Sequence, residues 1–141
     1  MRSNLKIYTS FVSPWTFPII VEKNLLPILV VRNISNSEVV GKYSGSAIHF
    51  RDLAPSTELY RHKRDGLITN DEYQKRYALE MSHVNLEKTI RTWELLRECS
   101  RADGIVILGY GSREENCHRG TLSLLLNESG LLETKVMPLI L

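Results

Sequence analysis

The 141-residue chain has little of several features that would fix its class at once. It has two cysteines, Cys99 and Cys117, which are too few for a disulfide scaffold, and its cysteines and histidines lack the spacing of zinc ligands. Its 18 basic and 16 acidic residues leave a net charge of +2, which disfavours a dedicated nucleic-acid binder. No apolar run approaches the roughly 18 residues of a membrane span. We therefore expect no metal, no cofactor and no membrane partner.

The remaining composition is that of an ordinary globular protein. With 43% hydrophobic and 24% charged residues, the chain is neither disordered, nor collagen-like, nor a coiled coil. A chain of this length can bury enough surface to hold a core without a covalent or metal cross-link. The N-terminal residues also lack the apolar core of a signal peptide. We expect one domain over residues 1–141, in a soluble and cytoplasmic protein.

Apolar segments at four places predict β-strands. Residues 5–10 alternate apolar and polar side chains, and residues 25–31 and 104–111 are continuous apolar runs typical of buried strands. The segment 135–141 contains Pro138, which favours a place at the sheet edge. Between the first two strands, Pro14 and Pro18 predict a loop with only a short helix at 19–23.

Helix signals alternate with these strands. Ser56 and Gly66 bound a short helix, and Thr69 with Glu72 has capping-box spacing that predicts a helix over 70–82. Further helices are expected at 84–100 and 117–128, the last ended by Gly130. Strands alternating with helices predict an α/β fold: a single three-layer domain with a small, mostly parallel sheet flanked by helices. Within the helix at 84–100, Cys99 lies on the apolar stripe and is expected in the core.

The chain between 33 and 47 is rich in Ser, Asn and Gly and predicts a long loop. Such a loop in a compact domain is often a lid over a site.

Ligands of parallel α/β sheets bind beyond the carboxyl ends of the strands. The residues that leave the predicted strands are therefore the candidate ligand contacts, together with the start of the last helix. They are Tyr8, Thr9, Ser10, Arg32, Tyr110, Cys117, His118 and Arg119. The aromatic members, with Trp15, could form a wall for a ring, or they could be core residues.

The segment at 116–119 is the most informative of these. With Asn116 as N-cap, the next three residues would form a helical first turn, where free N–H groups and the positive dipole end favour an anion. Cys117 is the candidate catalytic residue, because a thiol there tends towards a lowered pKa. Adjacent helical residues point about 100° apart, so His118 is not expected to pair with it. Arg119 could bind the anion or form a salt bridge with Glu114 or Glu115.

Several segments together resemble one family. Tyr-Thr-Ser at 8–10, Leu-Ala-Pro-Ser at 53–56 followed by Glu58 and Leu59, and Cys-His-Arg at 117–119 are similar to motifs of the domain-of-unknown-function 488 family. Gly66, Ile68, Glu72, Tyr73 and Tyr77 keep the spacing of its helix pair. The resemblance implies an α/β fold and no settled activity. Family members usually carry Cys and Glu beside the strand-end tyrosine, where this chain has Gly109 and Gly111, so two-cysteine and Cys/Glu chemistry are both disfavoured here.

The leading hypothesis is that the predicted rim binds a small anionic, nucleotide-like ligand, to sense or sequester it. The alternative is an enzyme that acts on such a nucleotide-like substrate or uses Cys117 as a thiolate. A second alternative is a nucleic-acid-associated protein using the basic residues 61–64, which the small net charge makes unlikely. Those basic residues are otherwise a solvated helix end. The sequence leaves the oligomeric state open, including a homo-oligomer.

Overall fold

The computed structural model describes residues 2–33 and 47–140, and within them the expected alternation of strands and helices is present. The strands are β1 (Ile7–Phe11), β2 (Leu25–Leu29), β3 (Ile48–His49), β4 (Gly104–Gly109) and β5 (Met137–Pro138). The helices are α1 (Thr16–Glu22), α2 (Thr57–Arg64), α3 (Asn70–Met81), α4 (Leu86–Ser100) and α5 (His118–Glu128). Two 3-10 turns lie at Arg51–Leu53 and Glu114–Asn116.

The five strands form one sheet in the order β3-β2-β4-β1-β5, and every pairing is parallel. The central strand β4 pairs with β1 on one side, Ile7 beside Ile105, and with β2 on the other, Leu26 beside Ile105. All six β4 residues are buried, as a central strand covered on both faces requires. The predicted α/β class with a small parallel sheet is confirmed.

The alternation of side chains along β4 separates two cores. Ile105 and Ile107 belong to a cluster with side chains of α3, α4 and α5, such as Trp93. Val106 and Leu108 belong to a second cluster with Ile20 of α1. Because successive strand residues point to opposite faces, helices cover both sides of the sheet. The prediction that residues 1–141 form a single domain stays a prediction.

The predicted signals at the helix ends are present. Thr69 and Glu72 form the reciprocal capping box at the start of α3, and the Ser56 side chain accepts a hydrogen bond from the Leu59 N–H at the start of α2. Gly66 follows α2 and Gly130 follows α5. Both have positive φ, +71° and +74°, the conformation that glycine supplies most easily after a helix.

The start of α1 corrects the sequence prediction. The helix begins at Thr16, three residues before the expected start at Ile19. Pro18 lies in the first turn, where a backbone N–H has no helical partner and its absence costs little. Ser13 also stabilises this turn, since its Oγ accepts a hydrogen bond from the Thr16 N–H at 3.1 Å.

Two further expectations were wrong. Asn116 is not the N-cap of α5 but the last residue of a 3-10 turn, and Cys117 takes the N-cap place with extended backbone, φ −112° and ψ 144°. Cys99 is exposed rather than buried, because the whole last turn of α4, residues 98–100, lies in solvent.

The expected lid at 33–47 falls outside the described residues except at its two ends. In the part of the chain that the structure does describe, the helices are all too short or too polar to cross a bilayer.

Candidate functional site

A cavity of about 340 Å³ lies beyond the carboxyl ends of β2 and β4. Three basic side chains line it: Arg32 after β2, and Lys63 and Arg64 in the last turn of α2. Its other lining residues are Val31, Asn33, Pro55, Tyr60, Tyr73, Tyr110, Gly111, Asn116, Cys117 and His118. The cavity therefore occupies the position at which parallel α/β sheets bind ligands.

The segment at 53–56 forms hydrogen bonds with residues on one side of the cavity. The Arg32 Nε–H donates to the Pro55 carbonyl at 2.7 Å, which fixes the direction of the guanidinium. The Tyr77 hydroxyl donates to the Leu53 carbonyl at 2.6 Å. Ser56 N–H donates to a Glu80 carboxylate oxygen at 2.8 Å. Contacts from β2 and α3 thus converge on this short segment, which positions Arg32 and the start of α2.

The basic side chains stand beside tyrosine rings. The Lys63 ammonium lies 5.4 Å from the Tyr73 ring centre, and the Arg64 guanidinium lies 5.9 Å from that of Tyr60. Arg64 also pairs with Asp65 at 3.0 Å, so part of its charge is compensated. None of the described residues that line the cavity is acidic. The wall of the cavity is consequently cationic and aromatic.

Cys117 and His118 form a hydrogen-bonded pair at the cavity, contrary to expectation. The Cys117 Sγ lies 3.9 Å from His118 Nδ1. The expectation assumed that both residues were helical, whereas Cys117 has extended backbone before the helix and its side chain can turn back over the next residue. His118 Nε2 bonds to the Val30 carbonyl. A carbonyl only accepts, so Nε2 carries a hydrogen, and Nδ1 is the ring nitrogen that faces the thiol.

The surroundings of Cys117 favour its thiolate. Burial is the largest single influence and opposes ionisation, but it is outweighed by the hydrogen bond and charge of His118 and by the backbone N–H and charge of Arg119. The net effect lowers the pKa of Cys117 from its ordinary value. A lowered thiol pKa at a helix N-terminus beside a histidine is a recognised property of reactive cysteines.

Two tyrosines enclose the imidazole. The Tyr73 hydroxyl lies 3.5 Å from His118 Nδ1, and the Tyr77 ring contacts the imidazole edge to face at 5.1 Å. Burial raises the pKa of both phenols above the usual value. Both side chains therefore remain neutral, and the Tyr73 hydroxyl is the phenol that contacts the imidazole through a hydrogen bond.

Arg119 lies behind the cavity rather than in its wall. Its side chain is buried and donates to Thr9 Oγ1 at 3.0 Å and to the Gly111 carbonyl at 3.3 Å. Its Nε has no hydrogen-bond partner among the described atoms. The alternative of an ion pair with Glu114 is not met among the ion pairs of the described residues, and the Glu115 side chain is not described. Arg119 is thus a buried cation held by neutral acceptors.

Gly109 and Gly111 leave the space that the Cys117 side chain occupies. A Cβ on Gly109 would lie 2.7 Å from Cys117 Sγ and 3.5 Å from Arg119 Cδ. A Cβ on Gly111 would lie 3.0 Å from Cys117 Cβ. The thiol and the arginine side chain therefore converge over Gly109, and a larger residue there would displace the sulfur.

The cavity brings together four of the eight predicted ligand contacts: Arg32, Tyr110, Cys117 and His118. The others, Tyr8, Thr9, Ser10 and Arg119, are not among its lining residues. For the first three, which belong to β1, the strand order explains this, because β1 lies on the far side of β4 from β2. Their role as contacts stays a prediction. Trp15, the remaining aromatic candidate, is 73% exposed and also lies outside the cavity wall.

Sequence reasoning missed the contribution of α2 and α3. Lys63 and Arg64 were assigned to a solvated helix end, and Tyr60 and Tyr73 were not considered as contacts. The run of basic residues at 61–64 was the available signal. Within the described ranges, no cluster of His, Cys, Asp and Glu could hold a metal ion.

Fold and site together define a parallel α/β protein with a basic, cysteine-bearing cavity at the carboxyl edge of its sheet. Residues 20–130 match the family model DUF488-N3a, which is described as the active DUF488-N3 subclade. The chain belongs to the domain-of-unknown-function 488 family, as its resemblance to that family indicated. No curated protein and no solved structure matches the chain.

Proposed function

We propose that the cavity binds a small anionic ligand that carries a ring, of nucleotide-like size. The observation that supports this most strongly is the lining itself: three basic side chains and three tyrosines around one cavity, with no acidic side chain among its described lining residues. A volume of about 340 Å³ lies within the usual range for small-molecule sites, roughly 300–1,000 Å³.

Arg32 is the residue best placed to hold the anion. It is only partly exposed, so its charge is screened less than that of a surface arginine. The bond from its Nε to Pro55 leaves its terminal nitrogens free of any hydrogen bond within the described residues. A guanidinium offers two parallel N–H donors that match a phosphate or carboxylate. Lys63 and Arg64 add positive charge from the last turn of α2. The tyrosine rings of the lining offer a surface on which the ring of a ligand can stack.

We also propose an enzymatic role in which the bound anion is the substrate, and this proposal is supported by the presence of the Cys117 thiol and the His118 imidazole among the cavity lining. Both cysteines of the chain are free, and a reducing compartment maintains such thiols. We therefore also propose that the protein works in the cytoplasm.

Isothermal titration with AMP, GMP, CMP, UMP and inorganic phosphate tests the binding proposal. At least one nucleotide is expected to bind more tightly than phosphate alone, because the rings add contacts that phosphate cannot make. Loss of a charge-assisted hydrogen bond typically costs about 1.5–3 kcal/mol, so Arg32→Ala is expected to weaken binding about ten- to a hundredfold.

Lys75→Ala is the matched control. Lys75 is 77% exposed and pairs with Asp71 on α3, so its loss removes one positive charge away from the cavity wall. Equal weakening by Arg32→Ala and Lys75→Ala would show that only net charge matters. Absence of binding by every compound at millimolar concentration would reject the proposal.

A further inference from the structure

A chain of two contacts links Cys117 to His118 and His118 to the Val30 carbonyl. Binding of an anion alone does not require this arrangement. The Val30 carbonyl fixes the tautomer and direction of the imidazole, and the imidazole Nδ1 faces the thiol at 3.9 Å. Both Cys117 and His118 line the cavity. A nucleophile beside a base that a third group orients is the usual arrangement for covalent catalysis.

The surroundings of the sulfur supply two further sources of positive potential. Cys117 occupies the N-cap of the 11-residue helix α5, where the dipole and the first N–H groups favour an anion. Arg119 is 4% exposed and its Nε has no partner among the described atoms. The Arg119 side chain and the Cys117 sulfur both lie next to Gly109. A Cβ placed on Gly109 would be 3.5 Å from Arg119 Cδ and 2.7 Å from Cys117 Sγ. Among the described residues, a buried cation without an acidic partner thus accompanies the thiol.

We infer that Cys117 is a nucleophile that forms a covalent bond with an electrophilic carbon of the anion bound in the cavity, with His118 as its proton acceptor and donor. This inference rests on the proposed binding function and adds a chemical step to it. The substrate class is a phosphate- or carboxylate-bearing compound with a leaving group on carbon.

The step conserves atoms and electrons without a further reagent. The thiol proton passes to His118 Nδ1, and the thiolate electron pair forms the new sulfur–carbon bond. The leaving group departs with the electron pair of its bond to that carbon and takes the proton from Nδ1. Where that carbon is an acyl or anomeric carbon, water can then hydrolyse the sulfur–carbon adduct, with His118 accepting a water proton and returning it to the sulfur. Nothing is oxidised or reduced.

Alkylation with iodoacetamide tests the nucleophile without requiring an anion site. The rates at Cys117 and at exposed Cys99 are measured over pH 5–10 by peptide mass spectrometry on the same sample. The midpoint of the pH–rate profile is expected at a lower pH for Cys117 than for Cys99, because the thiolate is the reacting form. As long as a thiol midpoint lies above pH 7, each pH unit by which it moves changes the thiolate fraction at neutral pH about tenfold. A Cys117 midpoint at or above that of Cys99 would overturn the inference.

His118→Gln distinguishes a base from a merely structural residue. The glutamine amide can still donate to the Val30 carbonyl, but it has no group in the place of Nδ1. The Cys117 midpoint is expected to rise, with at least a tenfold loss of alkylation rate at pH 7, while Cys99 stays unchanged. If His118→Gln is folded and its pH–rate profile for Cys117 alkylation is unchanged, His118 is not the proton acceptor of the thiol. The wild-type comparison of the two cysteines stands even if this variant does not fold.

A phosphorylated haloketone, bromoacetol phosphate, and its unphosphorylated counterpart separate failure of this inference from failure of the binding proposal. We expect the phosphorylated reagent to label Cys117 faster, with Arg32→Ala reducing that preference. If Cys117 has a low midpoint but shows no preference for the phosphorylated reagent, the anion site is wrong. If nucleotides bind but Cys117 has an ordinary midpoint, the site binds without this covalent step.

Discussion

Substitution of Gly109 by alanine is expected to destabilise the protein through a single contact. The added Cβ would lie 2.7 Å from Cys117 Sγ, well inside van der Waals distance, so the sulfur or the strand must move. Overpacking of this kind typically costs about 1–3 kcal/mol. For a domain near this size, each kcal/mol lowers the melting temperature by roughly 2–4 °C. The expected loss is therefore about 2–12 °C, measured by circular dichroism.

A double-mutant cycle assigns that loss to the sulfur. In a Cys117→Ala background the close atom is absent, and the remaining contact of the new Cβ with Arg119 Cδ at 3.5 Å is ordinary. Gly109 does not have positive φ, so alanine is expected to be neutral there or to stabilise by about 0.4–1 kcal/mol through the unfolded state. Equal destabilisation by Gly109→Ala in both backgrounds would refute the claim that Gly109 makes room for the thiol.

Three further outcomes follow from the same structure. Tyr77→Phe is expected to cost about 1–3 kcal/mol of unfolding free energy in urea titrations, because it leaves the buried Leu53 carbonyl without its donor. Thr69→Ala removes the cap of α3 and its exchange of hydrogen bonds with Glu72, which is expected to cost about 1 kcal/mol; no loss would show that the exposed cap is dispensable. The free energy of unfolding of the wild type, relative to Cys117→Ser, is expected to rise with pH up to about 8.5, the ordinary thiol pKa. The reason is that the folded protein holds the Cys117 pKa below that value. This added stability is lost as the pH falls through the Cys117 pKa of the folded protein. A difference independent of pH would contradict a lowered thiol pKa.

Local signals allowed much of the fold to be predicted. The capping box at Thr69 and the glycines at 66 and 130 act within a few residues, so they are readable without knowledge of the fold. The apolar run before Tyr110 likewise identified a buried strand, β4. The early start of α1 is not predicted by treating Pro18 as a helix breaker, because a proline in the first turn removes no helical hydrogen bond.

The site was only half predictable because its assembly depends on long-range pairing. The sequence identified residues that follow strands, but not that β4 separates β1 from β2. Arg32 therefore lines the cavity and Thr9 instead bonds the buried Arg119. The relation between Cys117 and its neighbour was misjudged for a local reason, since an N-cap residue does not follow helical side-chain directions.

The most direct test of anion binding at this cavity is a titration of the ¹⁵N-labelled protein with the nucleoside monophosphates, followed by amide chemical shifts. With at least one nucleotide, we expect saturable shifts concentrated at Tyr110, Cys117, His118 and the last turn of α2, with residues of α4 unchanged. The same shifts should be lost in Arg32→Ala at equal ligand concentration. Saturable shifts centred on another surface, or none with any nucleotide at millimolar concentration, would contradict the assignment of the cavity as an anion site.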